Sequence, residues 1–209
     1  MVLGDARIAY YRFVLCCLRF VGYRLVCNGG SDVSAAIMIP TWKDGVLQPV
    51  EKLAAHQLGL RHKAVSVFVM AGTKVLIQQR ALGKYHTPGK WANTCCTHPE
   101  WGEQDAVCAV RRLGEELGIT GLVPDHRGQV EYRSDVGGGL IEHEVVEVFV
   151  CDTTLDLKLA LNPDEVMATR WVEMADLRCE VAANPAEFTP WLAIYLEKHS
   201  GMIFDSAAV

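Results

Sequence analysis

The 209-residue chain has single-domain size with room for appendages; half of its residues are apolar, 22% are charged and its formal net charge is −5. That balance excludes an intrinsically disordered or collagen-like chain, and 20 Lys and Arg against 25 Asp and Glu leave no bulk positive charge for nonspecific nucleic-acid binding. Its eight cysteines, at 16, 17, 27, 95, 96, 108, 151 and 179, contain no CxxC and include two adjacent pairs, a scatter expected of reduced cytoplasmic thiols rather than of a disulfide framework.

In chain order, residues 1–37 differ in character from the rest. No acidic residue occurs between 6 and 31, and Arg7, Arg12, Arg19 and Arg24 interrupt an aromatic and aliphatic run. The longest uncharged stretch before Arg19 is 13–18, far short of the roughly 20 apolar residues of a bilayer span. No unbroken apolar core follows an initial charge, so the segment is not a signal peptide either. Three readings remain: a surface amphipathic helix, a targeting extension, or an upstream extension outside the functional domain. The functional domain is read as residues 38–199, with a tail at 200–209.

From Met38 the punctuation is regular. Lys43-Asp44-Gly45 predicts a tight hairpin over 41–50, and 51–58 reads as a helix stopped at Gly59. Strands are expected at 64–70 and 74–79 around Ala71-Gly72-Thr73. Residues 81–102 carry Pro88-Gly89 and Pro99 without periodicity, and an irregular stretch of about 20 residues inside a domain is usually functional. Ala106, Ala109, Leu113 and Leu117 recur at three or four residues and predict a helix over 103–117, ended by Gly118. Another strand pair, 130–133 and 140–151, flanks Gly137-Gly138-Gly139; a last strand is expected at 169–172, and Pro190 opens a terminal helix through 198. Interleaved helices and hairpins predict an α/β fold, a mixed sheet sandwiched between helices.

The long loop and its helix carry the first chemistry. Thr97, Glu103, Arg111-Arg112-Leu113, Glu115-Glu116 and Gly118-Ile119 keep the frame of the Nudix box, which they resemble, with Thr97 in place of the leading glycine and Arg112 in place of a glutamate. Arg112 and Glu116 lie one helical turn apart, so a cation and a metal-binding carboxylate can address the same anion. A Nudix hydrolase gathers metals on several helix glutamates to activate water. Exchanging one for arginine favours holding a diphosphate over cutting it.

A second constellation lies on either side of that helix. In Asn93-Thr94-Cys95-Cys96-Thr97-His98-Pro99 the residue before proline is extended, so Cys96 and His98 project to one side and Cys95 to the other. Glu142 and Glu144 share a face of a strand while His143 points away. His56 and His62 add two imidazoles. Each histidine alone reads as a surface or capped residue; three with two same-face carboxylates would suit Mn²⁺, Mg²⁺ or Zn²⁺ if they meet in space.

Four stretches are similar to type I isopentenyl-diphosphate Δ-isomerases: Glu51-Lys52-Leu53-Ala54-Ala55-His56, the run from Gln79 to Gly89, Trp91-Ala92-Asn93-Thr94-Cys95-Cys96-Thr97-His98-Pro99, and Phe188-Thr189-Pro190-Trp191. The resemblance spans about Met38 to Lys198. It implies a Nudix-like fold that interconverts isopentenyl and dimethylallyl diphosphate by a 1,3-allylic proton shift, feeding isoprenoid biosynthesis. By that resemblance Cys96 and Glu144 are the acid–base pair, and Tyr132 bonds the catalytic carboxylate. His56, His62, His98, Glu142 and Glu144 hold one divalent metal, and Glu116 binds Mg²⁺ on the diphosphate. Lys52, Arg80, Lys84 and Arg112 contact the diphosphate oxygens, and Trp191 forms the aromatic wall. The His56–His62 interval is one residue shorter than the commonest family pattern.

The residues suit that chemistry. An alkene is a very weak base, and protonating it creates a carbocation-like state that needs a placed acid, a dry pocket and a π face. Trp191 can supply about 2 kcal/mol of cation–π stabilisation, a minor part of a barrier reduction typically above about 8 kcal/mol. A thiolate such as Cys96 can remove the second proton. Two other readings stay open: a Nudix-type hydrolase, which would release phosphate, and a non-catalytic protein that binds a metal or a prenyl diphosphate. The partner expected is a small prenyl diphosphate, with no nucleic acid and no stable membrane insertion.

Overall fold

The structure is a computed structural model and describes residues 36–205. The helical and targeting readings of residues 1–37 fall, up to residue 35, outside the described residues, as do cysteines 16, 17 and 27. Among those described, no helix is long and apolar enough to cross a membrane.

The chain enters through a hairpin of β1 (Met38–Lys43) and β2 (Val46–Glu51), turning on Asp44 and Gly45 with φ of +53° and +77°. Both turn residues lie in the left-handed region that two-residue hairpins require. Glu51 then caps α1 (Lys52–Gln57), its carboxylate accepting the N–H groups of Leu53 at 2.9 Å and Ala54 at 2.8 Å. The carbonyl of Ile37 accepts the N–H of Lys52 at 2.9 Å, so residue 37 belongs to the folded unit and ties the chain's entry to α1.

β3 (His62–Ala71) is buried over nearly all its length, and its apolar run on both faces makes it the central strand. One edge pairs in parallel with β8 (Leu140–Asp152) from His62↔Glu144 to Met70↔Asp152. The other edge is taken in turn by β1, by β6 (Cys95–Thr97) and by β4 (Lys74–Arg80), all antiparallel. β5 (Trp91–Ala92) and β9 (Val166–Glu173) flank β4, and β7 (Asp125–Gly137) pairs with β8, completing nine strands.

Alternation along β3 divides the core in two. Val65, Val67 and Val69 pack with Cys95 against α2 (Asp105–Leu117), which presents Cys108, Ala109, Leu113 and Leu117. Ala64 and Phe68 face the opposite layer with Tyr132, Val146 and Val148. That layer is covered by α3 (Met174–Ala183), α4 (Pro190–Lys198) and α5 (Ser200–Phe204). The mixed sheet therefore does lie between helices. Gly118 ends α2 at φ +69°, where a Cβ would come within 2.6–2.9 Å of Ala160; only glycine fits that close approach.

Several elements differ from expectation. Residues 81–102 contain β5 and β6, two short strands visible only through their pairing partners. β7 begins at Asp125 rather than 130, and α3 was not signalled, since only Leu177 and Val181 are buried on it. The segment read as a tail from residue 200 opens with α5, whose Ile203 is fully buried in the core.

Candidate active site

The register of β3 builds the site. His62 lies opposite Glu144 on one edge, and Ser66 lies opposite Cys96 on the other. Both positions of β3 are on the same face, so Cys96 and Glu144 approach one cavity from strands on either side of it. The hydroxyl of Ser66 donates to Cys96 Sγ at 3.6 Å. Cys95 points the other way and is fully buried beside Cys108 and Leu113, as the alternation requires.

His56, on α1, donates Nδ1–H to the Lys52 carbonyl at 2.7 Å, and His62 donates Nδ1–H to that of Leu60 at 2.7 Å. A carbonyl can only accept, so the lone pair of each neutral ring resides on Nε2. Both Nε2 atoms are buried without a hydrogen-bond partner. They converge with His98, the three ring centroids lying 4.7–5.0 Å apart. Glu144 Oε1 sits 2.9 Å from His98 Nε2 and 3.6 Å from His62 Nε2. Ligand atoms of His56, His62, His98 and Glu144 all lie within 4.8 Å of one another. Orphaned lone pairs gathered around a carboxylate are a donor set that could hold a divalent metal.

Glu142 stands apart from that group. Its ligand atom clusters instead with those of His56 and His86, and its Oε1 is 3.8 Å from His86 Nδ1. Tyr132 joins the two carboxylates: its hydroxyl lies 2.6 Å from Glu144 Oε2 and 3.2 Å from Glu142 Oε2.

Burial shapes the protonation states. It lowers His56 to about 4, with His62 adding to the effect, and holds His98 well below the usual imidazole range, with Lys52 adding to it. Burial alone would raise Glu144, but the hydrogen bond from His98 at 2.9 Å holds it well below the usual carboxylate range. Glu142 moves the other way, raised by burial and by the charge of Glu144. Cys96 reaches the cavity but is crowded by protein; burial, then Glu144 and Glu142, push its thiol well above its ordinary value. These shifts favour a thiol at Cys96 and a carboxylate at Glu144.

The same cavity also gathers cations. Lys52, Arg80, Lys84 and Arg112 line it together with Glu116. Burial, then the charges of Lys84 and Arg112, lower Lys52 to about 8. Trp191, 1% exposed, forms one wall and has the Arg80 guanidinium 5.4 Å from its ring centroid. Its Nε1–H donates to Asn93 Oδ1 at 3.1 Å, and Asn93 Nδ2 reaches Cys95 O at 2.9 Å and Ser66 Oγ at 3.1 Å. Asn93 thus locks the aromatic wall to the cysteine strand.

All of the expected site residues except His56 and His62 line this cavity or, like Tyr132, bond a residue that does; those two histidines meet it through His98 and Glu144. The reading missed His86, Gln78, Glu165 and the bracing role of Asn93. His86 sits in the irregular loop next to Thr87-Pro88-Gly89, where that loop was the signal; Glu165 lies on a loop without periodicity and carried none.

The NUDIX domain model matches residues 60–192. An "Isopentenyl-diphosphate Delta-isomerase" of Cereibacter sphaeroides is 66% identical over 172 residues, covering 82% of this chain and 97% of that protein. One of Dinoroseobacter shibae is 61% identical over 171 residues, covering 82% and 97%. Among solved structures, DR0079 of Deinococcus radiodurans aligns with a TM-score of 0.62 at 16% identity, over 76% of this chain and 96% of that one. A MutT NUDIX hydrolase of Burkholderia pseudomallei aligns at 0.52 and 21% identity, over 66% and 98%. These structural likenesses concern the fold alone.

Proposed function

The chain belongs to the isopentenyl-diphosphate Delta-isomerases, a family of NUDIX-domain enzymes, and from that premise we propose how its cavity carries out the reaction. Lys52, Arg80, Lys84 and Arg112 hold the diphosphate. The five-carbon allylic unit then lies between Cys96 and Glu144, against Trp191. One observation carries this reading: a single cavity is lined by four cations and by both the Cys96 thiol and the Glu144 carboxylate.

Isomerisation moves one proton onto the alkene and removes one from the neighbouring carbon. Cys96 and Glu144 hold one proton between them: burial keeps it on the thiol, and the hydrogen bond from His98 keeps the carboxylate ionised. In one direction Cys96 gives its proton and Glu144 takes one; in the reverse direction the roles exchange. Tyr132 stays bonded to Glu144 in either state, since a hydroxyl can donate to a carboxylate and accept from the acid. Trp191 offers its π face to the developing positive charge, and the closed, buried walls keep water from it.

His56, His62, His98 and Glu144 would hold one divalent ion, Mn²⁺, Mg²⁺ or Zn²⁺, with Glu142 beside it, and Glu116 a Mg²⁺ accompanying the diphosphate; bound there, the ions supply fixed positive charge that orients Glu144 and neutralises the phosphates. The product dimethylallyl diphosphate is an activated allylic electrophile, suited to prenyl transfer in isoprenoid biosynthesis. Free thiols at 95, 96, 108, 151 and 179 fit a reducing compartment such as the cytoplasm.

The test is NMR of isopentenyl diphosphate incubated with pure protein and Mg²⁺ in D₂O. Deuterated dimethylallyl diphosphate is expected. Release of phosphate would select a hydrolase, and diphosphate binding without deuterium exchange would select a binding protein.

A further inference from the structure

One acidic residue among the cations has no part in the roles above. Glu165, on the loop leading into β9, places one carboxylate oxygen 2.5 Å from Lys84 Nζ and the other 3.1 Å from Arg112 Nη2. Arg112 also donates to Glu116 Oε1 through Nε at 3.1 Å and Nη2 at 2.7 Å, and to Glu115 through Nη1 at 3.0 Å. Four of its five N–H groups are thus committed to carboxylates, leaving one for a diphosphate. As it stands, Arg112 serves as a counter-ion between Glu116 and Glu165 more than as a phosphate donor.

A second observation points to a ligand at the same place. Gln78, 3% exposed, lines the cavity and donates Nε2–H to Glu116 Oε2 at 3.2 Å, while its Oε1 is buried without a hydrogen-bond partner. Turning the amide over would set its oxygen against a carboxylate, so the orphaned acceptor stays an acceptor. A buried carbonyl oxygen left unpaired, on an amide bonded to the Glu116 carboxylate, is costly unless a cation reaches it.

We propose that Glu165, Glu116 and Gln78 Oε1 together seat the divalent cation that arrives with the diphosphate, and that Arg112 occupies this seat in the substrate-free protein. The inference rests on the prenyl-diphosphate reading above and adds two residues to it. Carboxylate and amide oxygens are the donors that Mg²⁺ favours. As Glu116 and Glu165 exchange the guanidinium for the cation, the N–H groups of Arg112 and Lys84 are freed for the diphosphate oxygens. Cation and diphosphate therefore each tighten the binding of the other, as linkage requires. Without Glu165 the exchange loses one of its two carboxylates.

Calorimetric titration of the full chain with inorganic pyrophosphate, with and without Mg²⁺, tests this on the parent and on Glu165→Gln, Gln78→Leu and Glu116→Gln. The parent should bind pyrophosphate more tightly with Mg²⁺. Glu165→Gln and Gln78→Leu should each lose at least about tenfold of that Mg²⁺-dependent gain. Without Mg²⁺, Glu165→Gln should bind as well as the parent or better, because Lys84 and Arg112 are released. If Glu165 only aligns Lys84 and Arg112, its variant weakens by the same factor in both titrations, which overturns the proposal. Full gain retained by either variant, with Glu116→Gln losing it, also overturns the proposal but leaves the prenyl-diphosphate reading standing. No Mg²⁺-dependent gain in the parent overturns both.

Discussion

At the scale of single residues, charge and burial decide what each group can do. Lys52 is held near 8 by burial and by its cationic neighbours. Its folded value lies below its unfolded one, so it loses its proton in the folded protein first as pH rises. Between about 8 and the ordinary lysine range the unfolded chain holds the extra proton, so Lys52 makes the fold more stable as pH rises there. Diphosphate capture should respond in the opposite sense: kcat/KM, which reports the free enzyme, should fall as pH rises through about 8. In Lys52→Met that limb should vanish from the pH profile at a lower overall level. A parent profile flat through this range would remove Lys52 from the clamp.

The histidines divide as cleanly. His98→Ala should reduce metal affinity at least 10–100-fold, measurable as metal content after dialysis. His143, partly exposed and 3.5 Å from Glu131, and His126, 2.6 Å from Glu147, should leave it unchanged when replaced. Unchanged content in His98→Ala would dismiss the cluster. Cys96, His98, Glu142 and Glu144 were legible because β alternation assigns faces from spacing alone. For His86 the irregular loop was the one signal, and Glu165 had none, because it sits on a loop whose shape depends on partners distant in sequence.

At the scale of elements, the hairpins and α2 were readable from local signals: Asp44-Gly45, Gly72, and the three- and four-residue spacing that ends at Gly118. β5 and β6 were not, since two or three residues carry no period and exist as strands only against β4 and β3. α3 and α5 escaped because they bury few side chains. The burial of Ile203 nonetheless makes α5 part of the core. Ile203→Ala should cost about 2–5 kcal/mol in chemical denaturation, the range for a fully buried aliphatic truncation. A change below about 0.5 kcal/mol, typical of exposed sites, would return residues 200–204 to the status of a tail.

At the scale of the molecule, β3 is the organising strand. It carries β8 on one edge and β6 on the other, and so brings Glu144 and Cys96 to one face from opposite sides. No local pattern could show that meeting; it required the resemblance or the structure. The central claim is that this thiol and this carboxylate act as one unit on a shared substrate. Turnover of the parent, Cys96→Ala, Glu144→Gln, the double variant and Cys95→Ala tests it in one series. Each of the first two singles should lose about 10²–10⁴-fold in kcat, and the double should be little worse than the poorer single, because members of one unit are not additive. Cys95→Ala, facing the other core, should stay active. A double variant whose loss is the product of the two singles, or an active Cys96→Ala beside an inactive Cys95→Ala, would contradict the account.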